Sequence, residues 1–165
     1  MSTSSWSGYK SLCWAAMRVA AYVEGALDEC GLTPPQYRML VAIAHGPISS
    51  AELAKRIGVT APSVTSMVRG LERRGAVSRT ASVEDQRRMW LNVTPEGAKL
   101  LEDAESNTRA RLEAIAAEFD DQSQADAALA SLKSWNPVLD RFRADWLETH
   151  PISRRNVAAP ESRLR

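Results

Sequence analysis

Between residues 60 and 74 the chain runs "TAPSVTSMVRGLERR", and its polar side chains are of a kind that handles anions. Ser63, Thr65 and Ser66 are small hydroxyls at the start of a helix, where free backbone N–H groups and the helix dipole already favour negative charge. Arg69, Arg73 and Arg74 follow at spacings that suit contacts with a polyanion backbone. Thr60 stands where it can cap the helix, and Pro62 fits its first turn. Small hydroxyls near base edges and cations near phosphates make the face that reading a DNA groove requires. A plain solvated helix has the same composition, so this stretch alone leaves the two readings level.

A second charged cluster lies further on, where "VEDQRR" packs Glu84, Asp85, Arg87 and Arg88 between the strand-like runs "AVSRTAS" and "MWLNV". A solvated turn explains the charges but not their position directly behind a helix pair. Arg87 suits a narrow minor groove, whose potential and width are read by guanidinium groups. Asp85, two residues earlier, projects to the same side and would hold that guanidinium ready; such an exposed pair contributes only about 0–1 kcal/mol. Arg79 joins the DNA-contact set, as does Arg88, whose role stays open between a phosphate contact and a solvent-facing charge.

Catalytic and metal chemistry find no such support. The sequence shows no nucleophile elbow, phosphate loop or glycine fingerprint. Two separated histidines, His45 and His150, and no Cys/His cluster leave no metal site, and no cofactor is expected. Cys13 and Cys30 make no disulfide framework and are read as buried packing thiols. His45, just before Gly46, reads as a helix C-terminal cap or a ligand contact.

The elements that must position these residues follow from periodicity. Tyr9–Cys30 reads as a helix with Leu12, Ala16, Val19, Val23, Ala26 and Leu27 on one side, after a loose segment at 1–8. "LTPPQYRMLVAIAHG" starts a second helix at Thr33–Pro34, with Tyr37, Leu40, Val41 and Ala44 as its stripe. A short helix follows, capped by Ser49 or Ser50 and facing Leu53, Ala54 and Ile57 inward; Gly58 breaks it. The next helix turns Val64, Met67, Val68 and Leu71 inward and ends at Gly75. Short helix, glycine turn, second helix is the helix-turn-helix pattern, and the hairpin behind it makes a wing. Thr94-Pro95 restarts a helix to about residue 119, and a last helix over 125–147 carries Pro137 as a kink. The fold class is therefore mainly α with a small β-hairpin wing, a winged helix-turn-helix unit plus a helical layer, and "HPISRRNVAAPESRLR" reads as a basic flexible tail over 151–165.

The net charge of +1 hides a division. Residues 33–94 hold nine cations and four anions, a net +5, whereas residues 95–150 hold six cations and twelve anions, a net −6. A basic middle beside an acidic half is an electrostatic footprint for a polyanion. No signal peptide and no apolar run near the roughly 20 residues of a membrane span are visible, so a cytoplasmic protein without a membrane partner is expected.

These stretches together resemble the MarR family of winged helix-turn-helix transcriptional regulators. The resemblance is carried by "LTPPQYRMLVAIA", "SSAELAKRIGVTAPSVTSMVRGLERRGAVSR" and "EDQRRMWLNVTPEG", where Asp85, Arg87, Thr94 and Gly97 occupy the family's Asp-x-Arg tip and Thr-x-x-Gly pattern. It departs at Ser66 and Gln86, where many members carry Arg. The resemblance implies a homodimer joined through 9–32 and 95–150, each subunit presenting a winged head from 33–94 to a pseudo-palindromic double-stranded DNA operator. It further implies a repressor released by a small ligand. Trp14, Tyr22, Tyr37, Arg38 and His45 would border the family's ligand cleft and suit a small aromatic or phenolic acid. Two alternatives stand beside it: a winged-helix protein-interaction module with no operator, and a thiol-based redox regulator using Cys13. For the second, the spacing from Cys13 to "GLTPPQY" is about one helical turn shorter than in the peroxide-sensing branch.

Overall fold

The computed structural model describes residues 3–81 and 89–149, with side chains described for 8–81 and 89–142. The order of elements is α1 (Thr3–Asp28), α2 (Pro34–Ala44), β1 (Ile48–Ser49), α3 (Ser50–Ile57), α4 (Ala61–Arg73), β2 (Val77–Ala81), β3 (Met89–Val93), α5 (Pro95–Ala116), α6 (Gln122–Ser134) and α7 (Asn136–Thr149). The fold is mainly helical with a small antiparallel sheet in the order β1-β3-β2, as the patterning indicates.

The short helices α2 and α3 start at capping boxes; of the two cap positions expected for α3, Ser49 or Ser50, Ser49 takes the role. Ser49 caps α3 by accepting from the Glu52 backbone N–H, while the Glu52 carboxylate takes the Ser49 N–H in return. Gln36 closes the same kind of box on Thr33 at the start of α2. The wing pairs Val77 with Val93 through to Ala81 with Met89 in one antiparallel register, with Val77 and Leu91 the buried positions. Leu91, fully buried, is the strand residue that anchors the wing to the helices.

One apolar core joins the helix pair to the rest of the chain. Met39, Leu40, Ile43, Leu53, Val64, Val68, Leu71 and Leu91 meet Leu27 from the end of α1, Leu32 from the turn after it and Ala104 from α5. Each such leucine withdrawn from water contributes roughly 1.5–3 kcal/mol, so the head is held against the ends of α1 and α5 by its own packing.

Several expectations are corrected. Helix α1 begins at Thr3 rather than Tyr9 and closes at Asp28, so the expected loose segment is helical from Thr3. Its apolar stripe is covered only at the C-terminal end: Ala26 and Leu27 are buried, Val19 and Val23 half-buried, and Leu12 and Ala16 exposed. In α2 the buried set is Met39, Leu40, Ala42 and Ile43; Tyr37 and Val41 are half-buried and Ala44 is exposed, because the helix packs against α1, α3, α5 and β3 rather than one surface. Strand β1, only two residues long, pairs Ile48 with Leu91 and Ser49 with Trp90, too short to leave an alternation in the sequence. Helix α5 stops at Ala116 rather than 119. The single last helix is two helices, α6 and α7, broken at Trp135; Pro137 sits in the first turn of α7, where its missing N–H costs nothing, and does not kink a continuous helix.

Candidate nucleic-acid interface

Helix α4 separates its two faces cleanly. Val64, Val68 and Leu71 are completely buried and Met67 is half-buried, while Pro62, Thr65, Ser66, Arg69 and Arg73 are exposed. A period of 3.6 residues puts the exposed set along one side, facing away from the core. The start of the helix is fixed by Thr60, whose Oγ1 accepts from the Ser63 backbone N–H at 3.4 Å and lies 2.9 Å from Ser63 Oγ. Both hydroxyls are thus engaged in the cap. Thr65 Oγ1 donates to the Ala61 carbonyl at 3.1 Å, which leaves its methyl and lone pairs to face outward. A methyl beside an unengaged Ser66 hydroxyl and the Arg69 guanidinium is a surface that can read thymine methyls, base acceptors and phosphates in turn.

The remaining basic residues do different jobs. Arg79 on β2 forms a two-point ion pair with Glu72 of α4, Nε to Oε1 at 2.7 Å and Nη2 to Oε2 at 3.4 Å. The pair ties β2 to α4 and commits the guanidinium there. Arg74, grouped in the sequence with the polyanion contacts, turns onto α1: its Nη1 donates to Gly31 O at 2.6 Å and its Nη2 to Cys30 O at 2.9 Å. Neither partnership has a local sequence signal, since one spans the helix end and the other 43 residues. Asn92 Nδ2 donates to Thr80 Oγ1 across the wing at 3.0 Å. Asp85, Arg87 and Arg88 fall outside the described residues, between the last strand pair and Met89.

A cleft of ≈ 630 Å³ opens beside α2. It brings together Tyr37, Arg38 and His45, with Arg56 of α3 and Asn136 and Asp140 of α7, three residues that no sequence pattern marks. His45 caps α2 as expected; its Nδ1 lies 2.7 Å from the Val41 carbonyl, so that nitrogen carries the proton and Nε2 stays available. Burial raises the Tyr37 phenol above its ordinary value of 10.0, and the Glu105 charge adds to the rise, so the phenol is a neutral donor at physiological pH. Trp14 and Tyr22 do not line this cleft and are exposed on α1.

Cys13 is also exposed on α1, contrary to the expected buried thiol, because among the described residues that half of the helix is left uncovered. Cys30 is half-buried, its Sγ accepting from Asn107 Nδ2 at 3.3 Å. Among the described residues no group of three or more His, Cys, Asp or Glu side chains is placed to hold a metal ion, and no helix is long and apolar enough to cross a membrane.

With this geometry in place, the MarR family profile matches residues 31–88, from the turn before α2 to the edge of β3. Over that stretch the chain is similar to the MarR family. An HTH-type transcriptional repressor of Mycobacterium tuberculosis (strain ATCC 25618 / H37Rv) is 39% identical over 89 residues, 53% of this chain. That alignment spans 64% of the relative's own length, a little under two thirds. A transcriptional regulator of Thermotoga maritima is 26% identical with a TM-score of 0.62, covering 84% of this chain and 98% of that one. The transcriptional repressor CouR, solved bound to a 23-mer DNA duplex, is 29% identical with a TM-score of 0.61, covering 75% of this chain and 88% of its own. All three are named as regulators or repressors, not as enzymes.

The Thr-x-x-Gly pattern has a plain structural use. Thr94 Oγ1 donates to Gly75 O at 2.5 Å and accepts from the Gly97 N–H at 3.1 Å, so one hydroxyl caps α5 and holds the turn that ends α4. Gly97 lies against the Ala76 carbonyl, where a Cβ would have no room.

Proposed function

We propose that this chain is a homodimeric, sequence-specific DNA-binding repressor of transcription that acts in the cytoplasm. The observation that carries the reading is the division of α4, whose Val64, Val68 and Leu71 face is sealed while Thr65, Ser66, Arg69 and Arg73 stand exposed on the other side. The DNA-bound CouR structure, at 29% identity, supports the same use of the fold. Thr65, Ser66 and Arg69 read the major groove near the helix start, Arg73 meets phosphate, and Arg87 enters the minor groove from the wing with Asp85 as its orienter.

Dimerisation is supported by what the protomer leaves uncovered. On α1, Leu12, Trp14 and Met17 are 55%, 65% and 61% exposed, and on α7 Leu139 and Phe142 are 50% and 63% exposed. Apolar side chains of this number on the end helices need a partner surface, and a second copy supplies one by symmetry. Two heads related by a two-fold axis meet half-sites about 10 bp apart, which calls for a pseudo-palindromic operator. The cleft holding Tyr37, Arg38, His45 and Arg56 takes a small aromatic or phenolic acid, the carboxylate toward the guanidinium groups.

The test is a mobility shift on the DNA upstream of the chain's own coding sequence, at several salt concentrations. A specific complex whose affinity falls steeply with salt is the expected result. No specific shift over a wide protein range favours the protein-interaction module instead.

A further inference from the structure

The end of α1 is gripped from two helices at once. Arg74, the C-cap of α4, places its guanidinium on the carbonyls of Gly31 and Cys30 at 2.6 and 2.9 Å. From α5, Asn107 donates to Cys30 Sγ and Arg111 pairs with Glu29. Gly31 has φ 64°, a left-handed conformation that suits glycine; with Gly31 N–H on Asp28 O and Leu32 N–H on Leu27 O it closes the helix and turns successive carbonyls outward. Those carbonyls are backbone acceptors in the turn that follows Asp28, and the planar guanidinium fork matches two of them at once. The next residue, Gly75, is held by Thr94 Oγ1 from the start of α5. The last turn of the reading helix is therefore pinned both to α1 and to α5.

We propose that Arg74 is a positioning residue for operator recognition, fixing the angle of α4 against the α1–α5 layer without touching DNA. The inference rests on the DNA-binding reading above. Its consequence is a division of labour among neighbouring arginines: Arg69 and Arg73 face outward to the nucleic acid, and Arg74 faces back to α1 and keeps the two heads of a dimer at one separation.

The experiment uses a duplex selected by the wild-type full-length chain from a random-sequence pool, and the same duplex with one base pair inserted at its centre. Affinities are read across a salt series for the wild type, R74A, R74K and R69A, with thermal unfolding of each as a check on folding. R74A is expected to bind the selected duplex about tenfold more weakly, at an unchanged salt slope, and to lose most of the wild-type preference against the inserted base pair. R74K is expected to stay weak, because one ammonium cannot span both carbonyls; where R74A does not fold, R74K carries the comparison. R69A should lower the slope itself. A lowered slope in R74A that R74K restores makes Arg74 a phosphate contact and overturns the inference. Wild-type affinity and spacing preference in both Arg74 variants overturn it as well. If the wild-type chain selects no duplex, the DNA-binding reading itself falls, and the operator role of Arg74 with it.

Discussion

Gly97 rests its bare Cα against the carbonyl of Ala76, and no side chain fits between them. The close approach brings the first turn of α5 onto the residue just before β2, and Thr94 N–H donates to the same Ala76 carbonyl at 3.2 Å. Backbone, rather than a movable side chain, is what a new methyl would meet, so the neighbours can yield only by shifting α5 or the wing.

Gly97→Ala should therefore destabilise the fold by about 1–3 kcal/mol, the range for forcing an extra carbon into a packed site. Urea unfolding monitored by circular dichroism checks it through the midpoint at constant slope. An unchanged midpoint would show that α5 and β2 can separate at no cost.

Replacing Arg69 or Arg87 with Ala should weaken binding to a selected palindromic duplex and reduce the salt slope by about one for each phosphate left without its cation. Titrations at four or more salt concentrations measure both quantities. Wild-type binding by Arg87→Ala would remove the wing from the proposed interface, leaving the role of Arg69 to stand by itself.

The exposed apolar positions give an assembly prediction. Leu12→Glu and Leu139→Glu each place a charge on a surface proposed to be covered by the second copy, and each should shift the protein from dimer to monomer in sedimentation velocity. Both variants keep the buried cluster of the head intact, since neither residue belongs to it. A wild-type chain that sediments as a monomer at micromolar concentration would end the dimer reading.

Two groups give pH predictions of opposite sense. Hydrogen bonds from the Ser123 side chain and then its backbone hold the Asp121 carboxyl below its ordinary value of 3.8 at the N-cap of α6. As pH falls the unfolded chain takes up this proton first, so the capping contribution is present above 3.8 and lost as pH falls through the lower folded value. Asp121→Asn should flatten that part of the acid titration of helicity. Tyr37 is shifted upward, so its contribution is present below 10.0 and lost as pH rises through the higher folded value; ultraviolet titration of the wild type against Tyr37→Phe isolates the phenol.

The helix pair, its buried face and the cap positions Thr33, Ser49 and Thr60 were legible in the sequence; the cap partners Gln36, Glu52 and Ser63 were not singled out as such, although their spacing is local. Ser49 with Glu52, Thr60 with Ser63, and the Val64–Val68–Leu71 stripe are local relationships, three to four residues apart, and helix geometry alone converts that spacing into contact. The wing strands were legible for the same reason, with Leu91 alternating against its neighbours. The exposed surface of α4 followed as the complement of the buried one.

What only the tertiary structure decided lies between elements distant in the chain. Nothing local in the sequence distinguishes Arg69, which stays exposed, from Arg79, which is bound to Glu72, or Arg74, which is bound to α1. All three are cations on or near one helix, and which of them remains available to a polyanion depends on what the fold brings opposite each. The same holds for the cleft, where Arg56, Asn136 and Asp140 join Tyr37 only because α3 and α7 are carried there, and for Trp14, Tyr22 and Cys13, left exposed on α1 among the described residues. Periodicity fixes which side of a helix is apolar; it contains no term for which distant polar group will arrive to meet the other side.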